Sequence, residues 1–568
     1  MATWGRANRV RSEAWNARTF GIPSWTSWAI LLTGSIACAS LSVILGQDAN
    51  WDLRNYHYYN AYAYLNKRIG FDYGVAQIQT YLNPTLDIPF FLLINTLRPM
   101  WVGFVIGTLH GLNLWLTFLI ANCITASWDS VRKLPFLLAC AAAGMYGPGA
   151  VSELGTQFHD LTLTAPVLAS LLLLLRHAAL IERSAEHHVP ASAIVASGLF
   201  LGTATGLKYT NGIYIPGGAI AVLLLAARSH TSVQTLAKWM FSVLVAMAVG
   251  AGHWMYELWR HFGTPFGAFF NGIFRSPYFE PTTFVNTRFF PTTVLQTLFY
   301  PFYFCCQGPF FQARDIRFVL IYSLFVILVL AWLARLGRST RSCRYAVIGP
   351  IPLTYYMLMV FFVGSYVVWQ TLFSIYRYAI ALELLGPVLV YVLLSRLIAR
   401  LDTRLIASVA LFILIGITMK APDWGRTQWR ETFFGTLPPA IPDPSRSIVI
   451  MTSLEPLAYV VPAFPPAVRF VRIHSNFFGP ESTTRMAMEI RSLVRAHQGP
   501  LFLLSHSVAI ADSAGHLAAY GLRLRSQSCV RLRNHLDDGI VFCEVERQEV
   551  LSFSADAWRR DSHSARGA

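Results

Sequence analysis

Acidic residues follow or precede several long apolar stretches of this sequence. Asp48 and Asp52 come directly after the first stretch, and Glu153 and Asp160 lie in a later joining segment, GPGAVSELGTQFHDL. A carboxylate within hydrogen-bond reach of a hydroxyl group can act as a general base, so these acids are candidates for proton-transfer chemistry. A simple solvated carboxylate would also explain either of the first two acids, and Asp160 could instead cap the helix that it opens.

Polar and aromatic side chains surround these acids. After Asp52 the set comprises Asn55, Tyr56, His57, Tyr58, Tyr59 and Asn60, and His159 precedes Asp160. Tyrosine offers an apolar face and a polar tip, which suits stacking on a sugar ring and hydrogen bonding to its hydroxyl groups. The segment therefore indicates a carbohydrate site, while an aromatic helix at the membrane interface would have a similar composition.

Basic residues occur beside other apolar stretches. Lys208 lies in GLKYTN, Arg288 lies in a long aromatic segment, and Arg377 precedes Tyr378 in SIYRYAIALE. Cations near acids at the membrane surface fit a phosphate or pyrophosphate group. A salt bridge to Glu383 or to lipid headgroups is the competing explanation for each of them.

The composition predicts whether the elements that carry these residues lie in water or in lipid. Of the 568 residues, 54% are hydrophobic and 13% are charged, and the mean hydropathy is +0.46. Soluble domains carry about 25% charged residues, so this chain is predicted to lie in lipid. The net charge of +16 could suggest nucleic acid, but the arginines lie in short loops between apolar runs. We therefore expect no nucleic-acid partner.

Eleven apolar runs predict a mainly α-helical bundle with about eleven membrane spans. They cover residues 24–46, 101–122, 134–150, 160–177, 192–207, 212–227, 236–256, 316–334, 346–367, 378–395 and 404–419. A further run, 84–97, is short and contains Asp87 and Pro89. About 20 residues are needed to cross a bilayer, so we expect this run to lie along the interface.

The charges of the connecting loops predict the orientation. If 84–97 does not span, every loop on the N-terminal side of the membrane is basic, as the positive-inside rule requires of cytoplasmic loops. These loops are 123–133, 178–191, 228–235, 335–345 (with Arg335, Arg338, Arg341 and Arg344) and 396–403. The segments 47–100, 151–159, 257–315 and everything after 420 are then outside. The basic N-terminal stretch leads into a full span and does not read as a cleaved signal peptide.

The sequence changes character after the last span. Residues 1–420 form the predicted membrane domain, and 421–550 alternate strand-like and helix-like segments, which predicts a small extracytoplasmic α/β domain. Asp537-Asp538-Gly539 is typical of a hairpin turn that brings Cys529 near Cys543. The two cysteines form either a disulfide, in an oxidising compartment, or two buried thiols. Residues 551–568 are predicted to be a disordered tail.

Short motifs in this framework resemble the GT-C superfamily of membrane glycosyltransferases. This superfamily includes protein O-mannosyltransferases, bacterial aminoarabinose transferases of lipid A and the RgtA/B/C/D-like group. The motifs are Asp52-x-x-x-Tyr56, then Asn83-Pro84, His159-Asp160 and Arg377-Tyr378. Leu53 stands where the family often has Glu, and Thr85 replaces the second proline of a family element. These departures leave the choice of base open between Asp48 and Asp52, and the spacing favours Asp52.

The resemblance implies an inverting sugar transfer from a polyprenyl-phosphate donor, with membrane lipids around the enzyme and a glycolipid, polysaccharide or protein as acceptor. On this hypothesis Asp52 is the general base and Asp160 or Glu153 supports it, while Lys208 and Arg377 stabilise the leaving phosphate. The remaining predicted substrate-binding residues are Tyr56, His57, Asn60, His159, Arg288 and Tyr378.

The resemblance also bears on cofactor and location. It leaves open a divalent metal, Mg²⁺ or Mn²⁺, held between Asp52 and Asp160, which the acids themselves do not require. It implies a multi-pass protein of the bacterial inner (plasma) membrane. A transporter or flippase, a polysaccharide polymerase or ligase, and a noncatalytic assembly subunit are the alternatives. Low mid-membrane charge disfavours a transporter.

Overall fold

The computed structural model describes residues 20–128, 131–183, 189–228, 232–305, 310–336 and 350–548. The basic N-terminal stretch, most of the four-arginine loop 335–345 and the predicted tail 551–568 lie outside these ranges. The predictions made for them therefore remain predictions.

Apolar helices occupy all eleven predicted runs. They are Ser24–Leu45, Pro99–Ile124, Lys133–Met145, Asp160–Arg183, Ala191–Leu207, Tyr214–Ala227, Ser232–Phe262, Arg317–Leu336, Leu353–Leu372, Ile380–Leu397 and Leu401–Thr418. Within the described ranges, nine helices are long and apolar enough to cross a membrane, and Lys133–Met145 and Ala191–Leu207 are shorter. The prediction of a polytopic helical bundle is confirmed, and the chain is an integral membrane protein.

Prolines account for two of the shifts in helix boundaries. The run predicted at 134–150 ends as a helix at Met145, because Pro148 begins a separate short helix, Pro148–Glu153. Within the described residues, which resume at 350, the run predicted at 346–367 is helical from Leu353, directly after Pro352. Proline fixes φ, lacks an N–H and restricts the residue before it, so it favours a helix start over a helix interior.

Small residues allow the first two long helices to pack closely. A side chain at Gly107 would meet the backbone at Ala39, and one at Gly111 would meet the backbone at Ser35. Close backbone approach through glycine, alanine and serine is a common way for helices to associate in lipid. The helix Ile380–Leu397 lies at the centre of the bundle, because all of its residues except Leu397 are buried.

The short run 84–97 contains one helix, Asp87–Thr96, of 10 residues. At 1.5 Å per residue it is about 15 Å long, roughly half the thickness of a bilayer core. It is therefore too short to span, as the sequence predicted.

Basic residues of the connecting loops lie at one end of the bundle. At one end Arg132 pairs with Asp402, Lys133 donates to the carbonyl of Phe20, and Arg183 donates to the carbonyl of Ala126. These residues belong to the loops that the sequence predicted to be cytoplasmic. The candidate site acids lie at the opposite end, where the helix Asp160–Arg183 begins and the helix Ser24–Leu45 has ended.

The C-terminal segment forms the predicted small α/β domain. Its strands are β3 (Ile448–Met451), β4 (Arg469–Arg472), β5 (Leu501–His506), β6 (Leu522–Leu524), β7 (Val530–Arg531) and β8 (Ile540–Arg547). They form one sheet in the order β4-β3-β5-β8-β6, with β7 also paired to β8. The first three strands are parallel and β8 is antiparallel to β5. Cys529 and Cys543 are joined by a disulfide.

This domain is interlocked with the segment that follows the first span. Strand β1 (Gln47–Asp48) pairs with β2 (Arg426–Thr427), and Tyr73 bridges to Val471 of β4. The fully buried Arg472 donates from Nη2 and Nε to the carbonyl of Val75, at 2.9 and 3.1 Å, and from Nη1 to the carbonyl of Ser453. The sheet therefore holds the first outer segment in place.

We predict that Arg472→Leu destabilises the protein by about 2–4 kcal/mol, because it leaves two buried carbonyls without donors. The thermal unfolding temperature of the purified protein measures this loss. Arg495→Leu, on the exposed face of the helix Arg485–Ala496, is the matched control and should change the free energy of unfolding by less than about 0.5 kcal/mol. Equal unfolding temperatures for the two variants would contradict the interlocking role of Arg472.

Candidate active site

Four chain segments that are distant in sequence meet at one end of the bundle. Asp52 directly precedes a π-helical turn, Leu53–His57, and Asp160 opens the helix Asp160–Arg183. Lys208 follows the helix Ala191–Leu207, and Arg377 lies in the 3₁₀ turn Tyr376–Ala379. Single π-helical turns are rare and often occur at functional sites.

Two linked ion pairs join these segments. Asp52 Oδ2 lies 2.5 Å from Arg377 Nη1, and it also accepts a hydrogen bond from the Tyr56 hydroxyl at 3.0 Å. Asp160 Oδ1 lies 2.6 Å from Lys208 Nζ, and its Oδ2 lies 3.7 Å from Arg377 Nε. Arg377 therefore lies between both carboxylates, and two negative charges are matched by two positive charges.

The cations are the more accessible members of these pairs. The side chains of Lys208 and Arg377 are 17% and 18% exposed, against 4% for Asp160 and 10% for Asp52. The guanidinium of Arg377 lies over the ring of Phe158, and Lys208 lies over the ring of Tyr378. An anion approaching from outside would thus meet the cations first.

A second set of buried charges supports the turn that carries Arg377. The Tyr376 hydroxyl donates to Asp315 at 2.8 Å, and Arg317 pairs with the same carboxylate at 2.6 Å. Glu383 accepts from the backbone N–H groups of Gly149 and Ala150, both at 2.9 Å. Glu383 is thus engaged at a helix start, and the competing explanation that it pairs with the candidate cations is wrong.

Glu153 holds the start of the helix that carries Asp160. Its Oε2 accepts from the Leu161 N–H at 2.7 Å, and its buried Oε1 has no hydrogen-bond partner among the described residues. Burial and the neighbouring Asp160 raise the pKa of Glu153 well above its usual range. Glu153 is therefore placed to support Asp160.

The two predicted histidines converge on an acid that the sequence reasoning did not select. His57 Nδ1 and His159 Nε2 each lie 2.6 Å from Asp87 Oδ1, and all three side chains are buried. Burial lowers the pKa of both histidines. Asp87 was visible as a lone acid within a short apolar run, which is an unfavourable position unless the carboxylate has partners.

Asp48 has a different environment from Asp52. Its Oδ1 accepts from the Asn50 backbone N–H and from the Asn50 amide, at 3.0 and 2.6 Å, and its Oδ2 accepts from the Gln157 N–H at 2.8 Å. Its oxygens are thus occupied by donors that tie two outer segments together. This geometry favours Asp52 over Asp48 as a base.

Two other predicted binding residues do not face the ion pairs. Asn60 donates to the carbonyl of Gln79 at 2.9 Å and supports the fold of its own segment. Arg288 is exposed in a different segment, where its guanidinium lies over the ring of Phe289. The structure therefore does not bring Arg288 together with Lys208 and Arg377.

We predict that Asp48→Asn lowers stability by about 2 kcal/mol, since hydrogen bonds to a charged acceptor contribute about 1.5–3 kcal/mol. Its hydrogen bonds hold two backbone segments, so turnover per folded molecule should fall by less than about tenfold. Thermal unfolding and the turnover of folded, detergent-purified protein test this together. A complete loss of turnover in stably folded protein would instead identify Asp48 as the base.

Comparison with known proteins supports the fold alone. No family model and no curated protein matches the sequence. Among solved structures, the chain is similar to the crystal structure of ArnT from Cupriavidus metallidurans bound to undecaprenyl phosphate, with a TM-score of 0.50 and 14% sequence identity. The match covers 91% of this chain and 98% of that chain. The chain therefore has the fold of ArnT, and the predicted helical bundle with a small C-terminal α/β region is confirmed.

Proposed function

We propose that this protein is a membrane glycosyltransferase that moves a sugar from a polyprenyl-phosphate donor to an acceptor outside the cytoplasm. The proposal rests on the two linked ion pairs, in which two partly exposed cations cover two buried carboxylates. The similar structure of ArnT was solved with undecaprenyl phosphate, a lipid of the proposed donor class.

The two cations suit the phosphate of such a donor. A polyprenyl chain stays in the bilayer, so its phosphate must be met at the membrane surface, where Lys208 follows the end of an apolar helix. Arginine binds phosphate oxygens in a bidentate manner and lysine adds a compact charge. Negative charge grows on the phosphate as the glycosidic bond breaks, so the same contacts stabilise the transition state.

Asp52 is well placed to act as the general base. In the resting site Arg377 holds Asp52 Oδ2, and a donor phosphate competes with Asp52 for this guanidinium. Once the pair loosens, Asp52 can take the proton of an acceptor hydroxyl. The hydrogen bond from the Tyr56 hydroxyl orients the Asp52 carboxylate for this step. The acceptor oxygen bonds to the anomeric carbon as its bond to the phosphate oxygen breaks. The configuration inverts, and polyprenyl phosphate leaves.

Loop charge supports a site that faces away from the cytoplasm. The basic loops that contain Arg132 and Arg183 lie at the opposite end of the bundle from the ion pairs, and such loops are typically cytoplasmic. The disulfide between Cys529 and Cys543 fits an oxidising compartment. In a bacterium this orientation corresponds to the outer face of the inner (plasma) membrane. The acceptor in this proposal is a glycan, a lipid or a protein.

We predict that Asp52→Asn lowers the turnover of a lipid-linked sugar by about 10²–10⁴-fold, because amide replacement removes the general base. Release of polyprenyl phosphate from donor in membranes measures this turnover. The matched variant Asp423→Asn removes an acid of the segment just after the last span and should keep full activity. Full turnover by Asp52→Asn would contradict the assignment of the base.

We predict that Lys208→Met weakens the binding of polyprenyl phosphate by about tenfold or more, because a charge-assisted contact to phosphate is lost. Binding of the lipid to detergent-purified protein measures the effect without any need to know the acceptor. Arg288→Met is the control, since it removes an equal charge from an exposed segment. If both variants bound the lipid as the wild type does, Lys208 would have no role in donor binding.

A further inference from the structure

The site between Asp52 and Asp160, where the sequence left open a divalent metal, does not suit a metal ion. Asp52 and Asp160 direct their carboxylates at Arg377 and Lys208, at 2.5 and 2.6 Å. A metal ion bound to the same oxygens would face two fixed positive charges at close range, and this repulsion opposes binding. Any resident cation must therefore bind elsewhere.

The neighbouring group of His57, Asp87 and His159 has the donor atoms that a transition metal prefers. One ligand atom from each residue lies within 4.8 Å of the others, and all three side chains are buried. The residues come from three separate segments, so no local sequence pattern accounts for their meeting. From this group we infer a transition-metal site, best suited to Zn²⁺, that lies beside the ion pairs of the proposed glycosyltransferase.

Backbone geometry supports the inference independently of the side chains. His159 has φ of 69°, in the left-handed region that is unfavourable for a residue with a side chain. Such conformations cluster at functional sites, where the surrounding structure holds them in place. His57 ends the π-helical turn Leu53–His57. Two unusual backbone features thus direct the two imidazoles toward one carboxylate.

The hydrogen bonding of the two imidazoles is compatible with a metal bound through the nitrogens that face Asp87. His57 Nε2 is buried and has no hydrogen-bond partner among the residues that the structure describes. Its other nitrogen, Nδ1, shares Asp87 Oδ1 with His159 Nε2, which also lies 2.9 Å from the Gln157 amide. An imidazole that binds a metal through one nitrogen carries its proton on the other, which can then donate to a water or a substrate oxygen.

The donor set identifies the class of metal. Two imidazoles and one carboxylate are typical ligands of Zn²⁺, whereas Mg²⁺ prefers oxygen ligands and octahedral geometry. Three protein ligands leave one position of a tetrahedral site open. The site differs from the Mg²⁺ or Mn²⁺ site between Asp52 and Asp160 that the sequence reasoning considered.

The first test measures metal directly, without any assay of turnover. The full-length protein, purified in detergent without chelators, should contain about one zinc per chain by elemental analysis. Removal of the metal with a chelator should lower the unfolding temperature, and added Zn²⁺ should restore it. Failure of the stripped wild-type protein to bind Zn²⁺ at micromolar concentration, or preferential binding of Mg²⁺, would overturn the inference.

Variants then locate the metal. His57→Gln and Asp87→Asn should each weaken Zn²⁺ binding by more than about tenfold. His474→Gln is the matched control, because His474 lies in the α/β domain and stacks on His516. Retention of stoichiometric zinc by folded His57→Gln and Asp87→Asn proteins would place the metal elsewhere and overturn the assignment.

Asp52→Asn separates this inference from the proposed function. It removes the proposed base but none of the three ligands, so it should keep its zinc and lose turnover. If the protein bound zinc and Asp52→Asn kept full turnover, the result would support the metal site and contradict the glycosyltransferase mechanism. If the protein bound no zinc and Asp52→Asn lost turnover, the result would contradict the metal site and support the mechanism.

Discussion

Charges near a bilayer must be compensated where they are buried, and this constraint organises the end of the bundle that carries the candidate site. An isolated buried ion costs several kcal/mol even after local relaxation. Asp52 and Asp160 are therefore stable only if Arg377 and Lys208 meet them. Each of these residues lies on a different segment, so the ion pairs specify how four helix ends come together.

A second buried set fixes the position of Arg377 itself. Asp315, Arg317 and Tyr376 form a closed network directly behind the turn that carries Arg377, and Arg317 also donates to the carbonyl of Glu383 at 2.7 Å. Breaking such a network would leave an uncompensated charge inside the bundle. The guanidinium is thus held by the scaffold before any ligand arrives, which reduces the reorganisation that phosphate binding requires.

The sequence predicted those features that depend on the solvent and on local pattern. Lipid requires long apolar helices, so all eleven runs were recognisable, and alternation with turn residues revealed β3, β4, β5 and the β7–β8 hairpin. The sequence selected Asp52 and Asp160 as acids at the ends of apolar runs, and in the structure both carboxylates lie near Arg377. The strands β1 and β2 were missed because each is only two residues long and depends on a partner about 380 positions away.

The remaining differences arise from contacts between distant segments. Asp87 meets His159 across 72 residues, and the orientation of His159 depends on a left-handed backbone that no sequence pattern announces. Glu383 satisfies two backbone N–H groups of a short helix instead of a cation. Arg288 has the same charge as Arg377 and a similar sequence context, but it lies in an exposed segment. Residue type identified the candidates, and only tertiary contacts could select among them.

The α/β domain bears on the site through the segment that it holds. Asp48 lies in β1, which pairs with β2 just after the last span, and Tyr73 and Val75 are bound by β4. Asp52 lies between these two attachments, so its segment is held by β2 at one end, by β4 at the other and by Arg377 between them. A segment held in this way cannot move without disturbing either the sheet or the ion pair. The fold of the α/β domain and the position of the Asp52–Arg377 pair therefore depend on the same chain segment.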